Sequence, residues 1–213
     1  MRGRFAAFAA SIAIGALAMC GGVSLAPALA ADLPRIVSMN VCTDQVLLTL
    51  ADPEQILGLS RFSRDAWVAG DVRRYPTLSD GAEDVLVLAP DVVVASLFDK
   101  RSTRELLKAK GLRLAELPVP RTLDEVKDQI RELGDIAGHP DRAAREVARL
   151  DAALARARQA VAAKHYRVLP LSRRGWVAGS DSFVGSLLAE TGLFNIAGDL
   201  GFAFGGLLRW RRS

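Results

Sequence analysis

Histidine and cysteine are scarce in this chain, with two of each in 213 residues. The two histidines have no ligand-like spacing and no Cys-x-x-Cys is present, which argues against a bare metal centre built from side chains. Charge of one sign is also lacking. The 28 basic and 24 acidic residues leave a net charge of +4. Arg2 and Arg4 sit in a leader that holds no acid, and dropping those two leaves +2. Arg209, Arg211 and Arg212 crowd the last five positions, and without them the body is roughly −1. The pI of 9.4 therefore reports the two ends of the chain, and no nucleic-acid partner follows from it. Half the residues are hydrophobic and 24% are charged, an ordinary globular composition. Internal repeats are lacking, and low complexity is confined to one Ala-rich stretch.

The first 30 residues read as an export signal. Arg2 and Arg4 form a basic start, Phe5 to Met19 is an uncharged apolar core, and Ala28-Leu29-Ala30 has the small-x-small pattern of a cleavage site. The cut falls before Ala31, and the product is expected in the periplasm. An N-terminal membrane anchor is the alternative, because no charge interrupts Phe5 to Ala31. Gly21-Gly22 and Pro27 break that run. Leu17-Ala18-Met19-Cys20 raises a lipoprotein reading with Cys20 acylated, although Met19 is bulky for such a site. Cleavage leaves Cys42 alone, so no internal disulfide is expected and the fold must stand on its core. No later stretch approaches 18 apolar residues.

The body alternates strand-like and helix-like segments. Strands are expected at Arg35–Met39, Ile56–Ser60, Val92–Ala95 and Leu112–Leu117, with the Val92 run buried on both faces. Helices are expected over Thr43–Ala51, Val85–Leu88, a segment opened by the capping-box spacing Ser102-Thr103-Arg104-Glu105, and a segment opened by Thr122-Leu123-Asp124-Glu125. Strands separated by single helices imply a parallel sheet with right-handed crossovers. This gives an α/β fold with a parallel-sheet N-terminal lobe over 32–138. His139-Pro140-Asp141 then starts a long amphipathic helix, carrying Val147, Leu150, Leu154, Ala157 and Val161 on one face. It is read as a stiff connecting strut over 139–165, about 33 Å for the stretch 141–163. A strand at Arg167–Ser172 and a helix at Ser182–Thr191 follow. Residues 166–213 hold one strand, one helix and a loop, an incomplete α/β C-terminal lobe, since a single strand makes no sheet. The abrupt Arg209-Trp210-Arg211-Arg212-Ser213 ending reads as a truncation or frame change near Leu208, with a genuine basic tail as the alternative.

Catalytic readings find little support. Gly179-Ser180-Asp181-Ser182-Phe183-Val184-Gly185 lacks the Lys-Ser/Thr pair of a phosphate loop and the Gly-x-Ser-x-Gly of a nucleophile elbow. It reads as a turn into a helix. Cys42 with His139 or His165 is a thin case for a thiol nucleophile, and a structural thiol is the better reading. What remains is a set of loops at strand ends, where ligands of open parallel sheets gather. They hold Met39, Asn40 and Cys42, then Arg61 and Phe62, then Ser96 and Phe98, and on the second unit Arg173, Arg174 and Trp176. Rings, guanidinium forks and small polar groups suit a bulky, partly anionic ligand. Solvated turns with some aromatic packing are the alternative for any one of them.

Arg35 to Asp44, Ser60-Arg61-Phe62-Ser63, Glu83 to Ala95 with its Pro90-Asp91 centre, and the long helix resemble the periplasmic substrate-binding proteins of ABC importers for iron–siderophores, haem and cobalamin. The resemblance runs from about Leu33 to Leu208. It implies two α/β lobes joined by one rigid helix, with a metal chelate or corrinoid held between them and no reaction performed. It also implies delivery to an inner-membrane ABC permease, no cofactor of the protein's own, and action as a monomer. Glu83 matches the family's N-lobe glutamate that pairs with permease arginines, and the C-lobe counterpart is not found. Trp67 and Trp176 are expected near the ligand walls. Rival readings are an inert truncated remnant, which exposes Leu187, Leu188, Leu193 and Phe194, and an exported hydrolase, which the scarcity of His opposes.

Overall fold

The computed structural model describes residues 33–65, 70–79 and 81–208. The export signal with Cys20, Trp67 and the Arg209–Ser213 ending lie outside the described residues. The first half alternates β1 (Ile36–Ser38), α1 (Val41–Leu50), β2 (Ile56–Gly58), α2 (Glu83–Leu88), β3 (Val92–Ser96), α3 (Arg101–Ala109), β4 (Leu114–Leu117) and α4 (Leu123–Ala137). The four strands form one sheet in the order β2-β1-β3-β4. All pairings are parallel, with Ile36 beside Val92 and Val93 beside Leu114. The expected α/β class and parallel sheet are therefore present.

The sheet is parallel because its central strands are apolar on both faces. Residues Val92 to Ala95 are at most 1% exposed. Alternation decides the face each side chain takes. Ile36, Val92 and Val94 pack with Leu47 and Leu50 of α1 and Leu133 and Ala137 of α4. Val37 and Val93 pack with Val85 of α2 and Leu107 of α3. Each fully buried Val, Leu or Ile stabilises the fold by about 1.5–3 kcal/mol relative to exposure. Helices thus cover both faces, and the βα loops all leave from one edge.

Local signals set several helix ends. Thr122 Oγ accepts the Glu125 N–H at 3.2 Å. The Glu125 carboxylate accepts the N–H of Arg121, one residue before the cap, so the predicted capping box is present in a displaced form. Gly138 ends α4 at φ +75°, where a β-carbon is disfavoured. The expected box at Ser102 is not used. Helix α3 starts one residue earlier, after Lys100, with no side-chain cap. Asp99, the nearest carboxylate, turns back instead to accept the Ser96 N–H at 2.6 Å.

Helix α5 (Pro140–Val161) is the expected long helix, with Pro140 at its first turn. Its N-terminal half does not stand free. It runs antiparallel along α4, as the pairing of Gly134 with Ala143 and of Lys127 with Asp151 requires. A β-carbon on Gly134 would sit 2.4 Å from Ala143 Cβ, so only glycine permits this approach. The helix root is fixed by polar bonds. Arg142 donates to Leu50 O at 2.9 Å and to Asp52 at 2.6 Å, and His139 Nε2 lies 3.0 Å from Gln55 Oε1. At its far end Arg158 pairs with Glu190.

After α5 the chain forms β5 (Arg167–Val168), β6 (Trp176–Ala178), α6 (Phe183–Glu190), β7 (Phe194–Asn195) and β8 (Gly205–Leu207). This corrects the expectation of a single strand. β5 pairs with β7 in parallel, and β6 pairs with β8 antiparallel. The predicted Arg167–Ser172 strand stops early because Pro170 has no N–H to donate to a ladder. β8 carries two glycines and no alternating pattern, so periodicity could not have found it. Of the four residues that the truncated-remnant reading exposes, Leu187 and Phe194 are exposed, whereas Leu188 and Leu193 are half-buried.

Four carboxylates are held below their ordinary range by bonds made only in the fold. Glu116 is lowered by hydrogen bonds from Lys108 and then Arg104, Asp52 by Arg142, Asp84 by Ser79 and Asp91 by the Arg35 N–H. Each lowered acid contributes stability above its unfolded pKa, near 4, and loses it as pH falls through the folded value. Urea midpoints should therefore drop as pH is taken from about 5 towards 2, and Glu116→Gln should show a shallower drop than the wild type.

Candidate functional site

Chain order places a switch point at the centre of the sheet. β1 continues leftwards to β2 through α1, while β3 continues rightwards to β4 through α3, and the two helices lie on opposite faces. The loops after β1 and β3 therefore part at the C-terminal edge and leave a crevice. A small cavity of about 30 Å³ lies there, lined by Met39, Ser60, Arg61, Leu78, Ser79, Asp99 and Lys100. It has room for about one water, so it marks the floor of the crevice rather than its capacity.

The floor is built on a buried carboxylate. Asp44, on the first turn of α1, is 0% exposed. It accepts the Ser60 Oγ–H at 2.6 Å and the Ser60 N–H at 3.2 Å, which ties the loop after β2 to α1. Desolvation pushes its pKa up, hydrogen bonds from Ser38 and Ser60 oppose that, and Asp99 adds to the rise. Beside it Ser38 Oγ and Thr43 Oγ1 are 2.7 Å apart, and Thr43 donates to Asn40 O at 2.8 Å. Nothing in the local sequence around Asp44 signals this tie. Its partner Ser60 is 16 positions away and is brought to it by the β1–β2 pairing.

The expected wall residues separate into two kinds. Asn40 is the α1 cap, with Oδ1 accepting the Cys42 N–H at 2.9 Å, and Ser96 is buried with Oγ accepting the Phe98 N–H at 3.2 Å. Their side chains shape the loops. Met39 is half-buried on the crevice floor. Arg61 lies over the Phe62 ring at 4.3 Å from its centroid, and Phe62 and Phe98 are exposed. Cys42 is exposed, and partial desolvation followed by the Asp44 charge pushes its thiol up, away from the thiolate form. His139 sits at the other end of α1, about 15 Å away along that helix, engaged by Gln55 and Asp52. A Cys42–His139 pair is therefore not assembled.

Arg173 and Arg174 lie after β5, as expected, in the turn that leads directly into β6. Arg173–Gly175 is a single 3-10 turn leading into β6, with Arg174 at φ +61°. Both are exposed, as is Trp176, and they line neither the crevice floor nor the neighbouring groove described next. The Gly179–Gly185 segment is a turn, as read. Its amides at Gly179, Ser180 and Asp181 donate to Phe204 O, Phe202 O and Ala203 O, so they are not turned towards a ligand. Ser182 caps α6.

A second, larger opening was not legible in the sequence. Between the loops after β3 and β4 lies an open groove of about 670 Å³, lined by Leu97, Phe98, Pro118, Val119, Arg121 and Glu125. Glu83 is exposed at the start of α2, beside a shallower opening shared with Lys100, Ser102, Thr103 and Leu106. Among the described residues no cluster of His, Cys, Asp or Glu could hold a metal ion, and no helix is long and apolar enough to cross a membrane.

The sequence model described as "Periplasmic binding protein" matches residues 36–207. A cobalamin-binding protein of Halobacterium salinarum is 26% identical over 172 residues, 78% of this chain and 47% of the relative. The chain thus spans about half the length of the curated relatives it matches. Among solved structures, the periplasmic haem-binding protein RhuT of Roseiflexus sp. RS-1 superposes with a TM-score of 0.67 at 27% identity, covering 82% of this chain and 70% of that one. A possible iron-binding, periplasmic solute-binding protein of Staphylococcus epidermidis gives a TM-score of 0.70 at 19% identity, covering 83% and 71%.

If Asp44 is the tie between α1 and the loop after β2, Asp44→Ala should cost about 1–3 kcal/mol by leaving the Ser60 donors buried without an acceptor. Asp44→Asn should cost less, since its amide oxygen still accepts. An acid raised by burial disfavours folding once ionised. The stability of the wild type relative to Asp44→Asn should therefore decline as pH rises from about 4 through the raised pKa, read by thermal melts across pH.

Proposed function

The chain belongs to the periplasmic binding protein family, and from that premise we propose that it captures a metal chelate or corrinoid and delivers it to an ABC permease in the inner membrane. The observation that carries this reading is the switch-point edge. Three loops converge there from a rigid parallel sheet, and they present Phe62, Phe98 and Arg61 to solvent rather than to the core. Such an edge offers flat apolar cover and cationic forks without a nucleophile–base pair, which suits capture rather than reaction. Iron, where carried, arrives inside its chelate as cargo.

In this reading the loops of Met39, Asn40, Cys42, Arg61, Phe62, Ser96 and Phe98 form one wall. Arg173, Arg174 and Trp176, all exposed after α5, face the ligand from the second unit. Helix α5 supports the arrangement because its root is bonded to α1 and its end to α6. Export to the periplasm by the leader at residues 1–30 accords with the family. Glu83 would meet a permease arginine, since it is exposed at the first position of α2 and does not line the crevice floor or the groove beside it. The similar proteins, a cobalamin-binding, a haem-binding and a possible iron-binding protein, favour haem, cobalamin or an iron chelate as cargo.

Titration of the full chain with haemin, cyanocobalamin and a ferric siderophore should give saturable quenching of tryptophan fluorescence with one of them. Silence towards all three sinks the reading in favour of the inert remnant. Glu83→Ala should weaken co-purification with the permease by roughly tenfold and leave ligand affinity unchanged. A loss of ligand affinity in that variant would refute the docking role.

A further inference from the structure

The crevice floor is too small to hold any of the proposed ligands, whereas the groove beside it has the volume of a small-molecule site. We infer that this groove selects ligands bearing a carboxylate next to an extended apolar surface, with Arg121 as the residue that reads the charge. The inference rests on the capture reading above and deepens it, by naming the class of ligand that the site prefers.

One wall is apolar and fixed. Leu97 is 51% exposed, Phe98 80% and Val119 45%, contiguous around a concave surface. Such a patch marks a contact site where single exposed apolar residues would not. The exposure of Phe98 does not come from a loose loop. Arg104, only 8% exposed, reaches under it and donates to Leu97 O at 3.4 Å and Asp99 O at 3.3 Å, the carbonyls on either side of Phe98. The same guanidinium is held from below by Glu116 of β4. The Leu97 N–H is bonded to Leu117 O at 3.1 Å, and the Phe98 N–H to Ser96 Oγ. A ring held in place before binding loses little further freedom when it is covered.

The opposite wall is equally set. Pro118 and Pro120 fix the backbone around Val119, and Gln129 Nε2 donates to Pro118 O at 2.6 Å. Arg121 follows on the rim. Its guanidinium makes no hydrogen bond or ion pair with any described residue. Glu125 shares that rim, but its carboxylate is engaged by the N–H of Arg121 itself, where α4 begins. The groove therefore presents one uncommitted fork beside apolar cover. A planar guanidinium matches a carboxylate by two parallel bonds, and a neutral amide or ester offers no equivalent.

The test compares haemin with its dimethyl ester, which keeps the macrocycle and removes both carboxylates. The full chain should bind haemin at least about tenfold more tightly than the ester. Arg121→Gln should reduce haemin to the affinity of the ester and leave the ester unchanged, and Arg121→Lys should restore part of the preference. Circular dichroism checks the fold of both variants. Equal binding of acid and ester by the wild type overturns the inference, as does a parallel loss of both in Arg121→Gln. Binding of cyanocobalamin without haemin also overturns it while the capture reading stands. Binding of neither, nor of a ferric siderophore, removes both.

Discussion

The double burial of β3 is the constraint on which the rest of the molecule depends. A strand apolar on both faces needs cover on both sides, and here helices supply it around an all-parallel sheet. Val92 to Ala95 satisfy this with almost no exposed surface. Parallel pairing of β1, β2 and β4 around it sends every βα loop to one edge. The crevice floor and the neighbouring groove exist because those loops have nowhere else to go. Shortening or polarising β3 would disturb the edge before any loop residue was touched.

The edge itself is organised by a few buried polar groups. Asp44 joins α1 to the loop after β2, and Arg104 joins α3, β4 and the loop after β3. Each links segments distant in sequence. Arg104 holds the backbone on either side of the exposed Phe98, and Asp44 holds Ser60, two residues before the exposed Phe62. The two acids titrate in opposite senses for one reason. Asp44 is raised chiefly by desolvation with the Asp99 charge adding to it, while Glu116 is lowered by its bonds to Lys108 and Arg104. A site in which rings are exposed but their backbones are bonded is preorganised for contact with a flat ligand.

The long helix shows how a correct local reading can misjudge its setting. Its periodic apolar face and Pro140 start fix a helix over the expected span. Read alone, it looked like a free strut. Gly134 lets its first half lie against α4, and Lys127 and Asp151 close the pair, so the helix belongs to the first sheet's helical layer before it leaves. The segment after it was the least legible. Strands of two or three residues with glycines carry no period, and they form only because partners from elsewhere in the chain are brought beside them.

By itself the sequence determined the α/β class, the parallel sheet, the Thr122 cap and the exposed rings at the strand ends. These follow from alternation, from local capping and from apolar runs, all of which act over a few residues. Tertiary structure decided which of the expected wall residues are free to touch a ligand. Asn40 and Ser96 are engaged within their own loops, Arg173 and Arg174 sit in the turn between β5 and β6, and Pro118, Val119 and Arg121 meet Phe98 across a groove. A side chain's availability depends on the partners that folding brings to it, and those lie in other strands and helices, beyond the reach of any local pattern.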